Sequence, residues 1–232
     1  MSGRPPDSVS VDRESDAVVV VTIDRADRFN TLSIETLEAI DDVFVGLSTD
    51  SRCVAVIVTG SGGESFAAGA DLREVGSLTS RSALSFAARG QRVFDRIERS
   101  PQIVLAAIQG YCMGGGLDLA LACDIRHASP DSTFAHPGAL RGIVTGFGGT
   151  ARLPRLIGRA RAIELFATGK RMSAAEALEI GLVDRVSDDP FVTTLEVAVE
   201  IGRHWPVASA WMKGSAVRWW RRGPSRRPRP WR

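Results

Sequence analysis

The chain has 232 residues, and its 29 basic and 27 acidic side chains leave a net charge of only +2, so it is no polycation built for nucleic acid. Apolar and charged fractions of 44% and 24% are those of an ordinary globular protein and exclude a disordered body. No apolar run approaches a membrane span, residues 1–7 lack the apolar core of a secretion signal, and three cysteines without a CxxC pair exclude a disulfide framework or a structural zinc site. A cytoplasmic protein with buried, reduced thiols is expected.

In chain order, residues 17–23 and 53–59 are β-branched runs bounded by polar or glycine residues, as buried strands are. Between them Ile34, Leu37, Ile40, Phe44 and Leu47 fall at helical spacing, with Ser33 placed to cap. Residues 82–99 read as a second helix, and Pro101 leads into a strand at 103–108. A helix follows at 117–123. This strand, helix, strand alternation predicts an α/β fold with parallel crossovers. Beyond Ile125 come a short extended piece at Phe134 and helices at 150–157, 160–168 and 174–180. In the last of these, Ser173 and Glu176 form a capping box and Gly181 supplies the stop. A short strand at 182–186 and a helix at 191–204 complete the pattern. Two units result: a core at 1–190 and a C-terminal segment at 191–232.

The tail departs from this regularity. Trp205, Trp211, Trp219, Trp220 and Trp231 stand among arginines and prolines. It reads either as a genuine basic, aromatic extension or as the product of a frame change, and Pro224, Pro228 and Pro230, which forbid a long helix, favour the second. Arginine and tryptophan are the residues of a nucleic-acid arm, but nucleic acid is not the expected partner.

Two glycine-centred segments carry the chemistry: Phe66-Ala67-Ala68-Gly69-Ala70-Asp71-Leu72 and Gly110-Tyr111-Cys112-Met113-Gly114-Gly115-Gly116-Leu117-Asp118. Each follows a predicted strand, and such places expose backbone amides. Two amides aimed at one point from separate loops form an oxyanion hole for a carbonyl gaining negative charge. The bland alternative is that the glycines serve turns and close packing. A dinucleotide loop is disfavoured, because that motif follows the first strand and this triplet comes after two helices.

With Ala122-Cys123-Asp124-Ile125-Arg126, Gly146-Phe147-Gly148-Gly149-Thr150 and Gly181-Leu182-Val183 following in order, the chain resembles the crotonase superfamily, the enoyl-CoA hydratase/isomerase proteins, over roughly residues 10–205. The resemblance implies a crotonase-like ββα superhelix followed by C-terminal helices, and assembly as a homotrimer or a dimer of trimers. It implies an acyl-CoA substrate, with no metal and no cofactor beyond the coenzyme A of that substrate. The oxyanion donors would be the amides of Ala70 and Gly115, with Asp118 at the position where hydratases carry a water-holding glutamate. Arg28 and Phe29 fall in the segment that brackets coenzyme A. Ala68, Gly69, Asp71, Leu72, Met113, Gly114, Pro137, Gly138 and Gly146 complete the implied substrate site.

Aspartate at 118 keeps the charge of the family glutamate one methylene shorter, but the second family carboxylate is a full departure. Gly138 stands where hydratases and isomerases carry the glutamate that moves the α-carbon proton, and glycine has no side chain to do so. His136, Glu74, Asp71 and Arg141 are the nearby groups that could act instead, a lone histidine being more often structural. The expected function is therefore thioester processing of the hydratase/isomerase kind. The alternatives are a hydrolase or decarboxylase with a relocated base, or an acyl-CoA-binding or assembly subunit with little turnover.

Overall fold

The computed structural model describes residues 8–204 and Lys213. The tail readings from Trp205 onward, Lys213 apart, and those on residues 1–7 lie outside the described residues.

A six-stranded sheet runs in the order β1 (Val9–Arg13), β2 (Val18–Ile23), β3 (Ala55–Gly60), β5 (Ile103–Ile108), β7 (Ile125–Ala128), β10 (Arg185–Val186). Beside it lies a four-stranded sheet, β4 (Ser65–Ala67), β6 (Tyr111–Met113), β8 (Thr133–Ala135) and β9 (Met172–Ser173). β1 pairs antiparallel with β2 and β8 with β9; every other pairing is parallel. Each turn of the chain gives one strand to the large sheet and the next to the small one: β3 then β4, β5 then β6, β7 then β8. This is the ββα superhelix expected from the resemblance.

The central strands β2, β3 and β5 are largely apolar because both faces of the large sheet are covered there. Val56 and Val58 of β3, paired in register with Val104 and Ala106 of β5, face the main core beneath α1 (Ile34–Leu47) and α3 (Ser80–Glu98). The alternate residues Ala55, Ile57, Leu105 and Ala107 face α8 (Pro190–His204), which buries Ala198 among them. The first helix of the C-terminal segment thus covers one face of the sheet.

The caps are where the residue types place them. Ser33 accepts the amide of Thr36, and Ser173 with Glu176 forms the reciprocal box at the start of α7 (Ala174–Glu179). Gly181, at φ +74°, ends that helix, and only Arg185–Val186 of the expected 182–186 strand pairs, because residues 181–183 still bond back to α7. Beyond the last described turn of α8, the ammonium of Lys213 reaches the carboxylate of Asp124 at 2.6 Å and the carbonyl of Gln102 at 2.8 Å.

Candidate active site

The site forms where the first glycine segment meets the second. Leu32 donates to the carbonyl of Gly69 (2.8 Å) and accepts from Asp71 (3.1 Å), so the loop before α1 grips the chain on either side of Ala70 and leaves the Ala70 N–H pointing away from it. Opposite stands the start of α4 (Gly115–Ala122), whose first amides have no partner within the helix. Gly114 enters it at φ +50°, a conformation that a residue with a β-carbon adopts rarely, while its own amide is bonded to Ala135 (2.8 Å). A β-carbon at Gly69 would lie 3.4 Å from the Gly115 nitrogen, and one at Gly115 would lie 3.4 Å from the Ala70 nitrogen. The two amides are therefore close neighbours, and neither finds an acceptor among the described residues.

They open on a cleft of about 990 Å³. Of the residues implied by the resemblance, Ala68, Gly69, Ala70, Leu72, Gly114 and Gly115 line it from one side, and Pro137, Gly138 and Gly146 from the other. Val75, Leu78, Ala83 and Phe86, from α2 (Leu72–Gly76) and its continuation into α3, make the wall apolar. Phe147 closes the floor: its ring packs on Phe86 and Phe94 at centroid distances of 5.2 and 5.6 Å and lies directly behind Gly115. Arg152 fixes that segment by bonding the Phe147 carbonyl (3.2 Å) and pairing with Asp95 (2.6 Å) and Glu98 (2.9 Å).

Five of the implied residues, Arg28, Phe29, Asp71, Met113 and Asp118, lie apart from the cleft lining. Arg28 and Phe29 sit on an exposed turn, where Arg28 faces Asp27 at 3.6 Å and Phe29 meets Tyr111 edge-on at 6.2 Å. Their segment nevertheless adjoins the site, since the Phe29 carbonyl accepts the Ala68 amide (3.0 Å). Met113 is buried in β6. Asp71 caps α2 through the Arg73 amide and pairs with Arg25 at 3.3 Å. Burial pushes its carboxyl up, but the Arg73 amide and the Arg25 guanidinium prevail and hold it below the ordinary value. Asp71 is thus a brace of the loop that presents Ala70.

Asp118 is fully buried and does not itself line the cleft. One carboxylate oxygen accepts the hydroxyl of Thr145. The other stands 3.1 Å from Nε2 of His136, the distance of an ion pair without the alignment of a hydrogen bond. Thr145 and His136 both line the cleft. Glu74 instead accepts the amide of Ile34 (2.8 Å), tying α2 to the start of α1. The contact between Asp118 and His136 joins residues eighteen positions apart, and pattern reading had no signal for it beyond the histidine itself.

The sequence model of the enoyl-CoA hydratase/isomerase family matches residues 13–218, and the chain belongs to that family. It is 42% identical over 193 residues to the short-chain-enoyl-CoA hydratase of Clostridium acetobutylicum, covering 82% of this chain and 74% of that one. A crystal structure of an enoyl-CoA hydratase from Bacillus anthracis superposes with a TM-score of 0.88 at 35% identity, covering 90% of this chain and 82% of that one. Pseudomonas aeruginosa DspI superposes with a TM-score of 0.91 at 32% identity, covering 96% and 91%.

Proposed function

We propose that the protein processes acyl-CoA thioesters by stabilising a thioester enolate, hydrating a 2-enoyl-CoA or shifting its double bond. The observation that carries this is the pair of unpartnered amides, Ala70 and Gly115, side by side in the lining of an apolar cleft. Negative charge that develops on the thioester oxygen meets two donors already in place. The loss of one such donor typically costs about 3 kcal/mol in the barrier. Coenzyme A arrives with the substrate, without a metal or nicotinamide, and a cytoplasmic homotrimer or dimer of trimers is the assembly that goes with this reading.

Gly138 favours a second reading, because no side chain stands where the family carries its proton-transferring glutamate. On that reading the site binds acyl-CoA with little hydration, or hydrolyses or decarboxylates it with a base placed elsewhere. Incubation with a panel of acyl-CoAs, with every product resolved by mass spectrometry, separates the readings. Conversion of crotonyl-CoA to hydroxybutyryl-CoA supports the first. Free acid, carbon dioxide, or an enoyl-CoA that neither takes up water nor shifts its double bond defeats it.

A further inference from the structure

Among the described residues, Oδ1 of Asp118 and Nε2 of His136 are buried 3.1 Å apart, and neither finds a hydrogen-bond partner. Burying a carboxylate and an imidazole together is costly unless each compensates the other. Their surroundings hold them in place. Thr145 binds the second oxygen of Asp118, the Phe166 ring lies 4.9 Å from the imidazole, and Gly149 packs against both groups. Among the described residues no hydrogen bond engages the second ring nitrogen, Nδ1, and His136, though buried, lines the cleft. A carboxylate against Nε2 favours the tautomer with its proton there, which leaves the Nδ1 lone pair free. His136 also stands two residues before Gly138, the position that lacks its carboxylate.

We propose that His136 is the acid and base of this site, acting through Nδ1 at the α-carbon of the acyl thioester, and that Asp118 is its positioning residue. The proposal rests on the acyl-thioester reading of the cleft. In the elementary step the C2–H bond breaks, the proton goes to Nδ1, and the electron pair passes to the thioester oxygen between the amides of Ala70 and Gly115. Reversal returns a proton to C2. In hydration the same nitrogen takes a proton from water as its oxygen bonds to C3. The C2–C3 π electrons move towards the thioester oxygen, and the proton is then delivered to C2, so one base serves both transfers.

The test is exchange of the α-protons of butyryl-CoA in deuterium oxide, followed by NMR, since this substrate cannot undergo hydration. The parent is expected to exchange. His136→Gln is expected to lose at least about 100-fold in rate, the scale of general acid and base catalysis. Its Kd for butyryl-CoA is expected to stay within about threefold. Asp118→Asn is expected to lower the saturated rate about tenfold or more with Kd unchanged, a split that a purely structural defect would not give. Should His136→Gln fail to fold, nitrogen NMR of the parent decides: the His136 Nδ1 signal must move when acetoacetyl-CoA saturates the site, and a signal that stays put overturns the proposal. A parent that exchanges no α-proton, or a folded His136→Gln that exchanges at the parent's rate, also overturns it. A parent whose α-proton exchange is lost in His136→Gln but which leaves crotonyl-CoA unhydrated upholds His136 and defeats the hydratase reading alone.

Discussion

Gly149 lies against Asp118 so closely that a β-carbon there would stand 1.9 Å from Oδ1, and 3.2 Å from Nε2 of His136. Gly149 is the first residue of α5 (Gly149–Ile157), so the start of one helix is packed onto a buried carboxylate carried by another. An anion at that place meets the positive end of α5 as well as the Thr145 hydroxyl. The absence of a side chain at residue 149 is what admits this approach.

Gly149→Ala is therefore expected to force Asp118 and His136 apart. Overpacking of this kind costs about 1–3 kcal/mol, a fall in Tm of roughly 3–10 °C for a chain of this size. The comparison is Gly46→Ala in α1, where nothing lies within 4 Å of the added carbon and a gain of about 0.5–1 kcal/mol is expected. Thermal melts of the two variants should move in opposite directions. Equal melts would show that α5 slides freely over Asp118.

Gly115 separates donor loss from added bulk. It is the first residue of α4, where proline is tolerated because that amide has no helical partner. Gly115→Pro removes the N–H, and a drop in acyl-CoA turnover of about 10²–10³-fold is expected. Gly115→Ala keeps the N–H and sets a methyl against the Phe147 ring at about the 3.0 Å approach that this ring must give way to. The alanine variant should retain the greater activity. If both lose equally while remaining folded, disturbance of Phe147 explains the loss and the amide does not.

The three cysteines give a check on packing that is independent of substrate. Burial pushes the Cys53 thiol up to about 11 and that of Cys123 to about 12, and lifts Cys112 well above its ordinary value. At pH 8 a thiol of pKa 11 is ionised to about one part in a thousand, and the thiolate is the reactive form. A disulfide reagent should titrate no thiol in the native protein within minutes and all three after denaturation. Prompt native reaction at Cys112 or Cys123 would show that the floor beneath α4 opens readily.

Asp71 and Arg25 carry a pH signature. The carboxyl of Asp71 is held below its ordinary value of 3.8, so its contribution to stability is complete above that pH and is lost as pH falls through the lower, folded value. Arg25→Gln removes the guanidinium paired with Asp71 and its bond to the Thr31 carbonyl. The variant should melt lower than the parent at pH 7 by about 1–2 kcal/mol, the scale of bonds to charged groups. That difference should narrow as pH falls below about 4, where Asp71 takes up its proton. A gap that is constant from pH 7 to pH 3 would assign the loss to the Thr31 bond alone.

Much of the frame was legible because its causes are local. Buried parallel strands such as β3 and β5 are near-continuous apolar runs, and α1 declares itself through Ser33 and the spacing from Ile34 to Leu47. The glycine segments were legible because the chemistry they offer belongs to the backbone. β1 was not, since only its first residue is buried and Asp12 and Arg13 face outward, which leaves no alternation to detect. The small sheet is built of strands of two or three residues, too short for any period. The grouping of Asp118, His136, Thr145 and Gly149 depends on how α4, β8 and α5 pack together, and no single segment encodes that.

Gly138 puts this difference between pattern and packing to its clearest test. By resemblance alone, Gly138→Glu would restore the missing family carboxylate and raise crotonyl-CoA hydration. The structure shows the obstacle: a β-carbon at residue 138 would stand 2.5 Å from the carbonyl oxygen of Ile143, and the Gly138 carbonyl already accepts the Ile143 amide at 2.9 Å. The neighbour is backbone on both counts, so the turn must open before any side chain fits. Opening it moves Ile143, Val144 and Thr145, all in the cleft wall, and Thr145 holds Asp118. Gly138→Glu is therefore expected to lower stability by about 1–3 kcal/mol and to leave hydration no higher than in the parent, because a carboxylate displaced by even about 1 Å forfeits most of its effect. Hydration rates and melts of parent and variant decide the matter together. A tenfold gain in rate with an unchanged melt would mean that the 138–143 turn yields at little cost, and that the family carboxylate can be rebuilt beside His136.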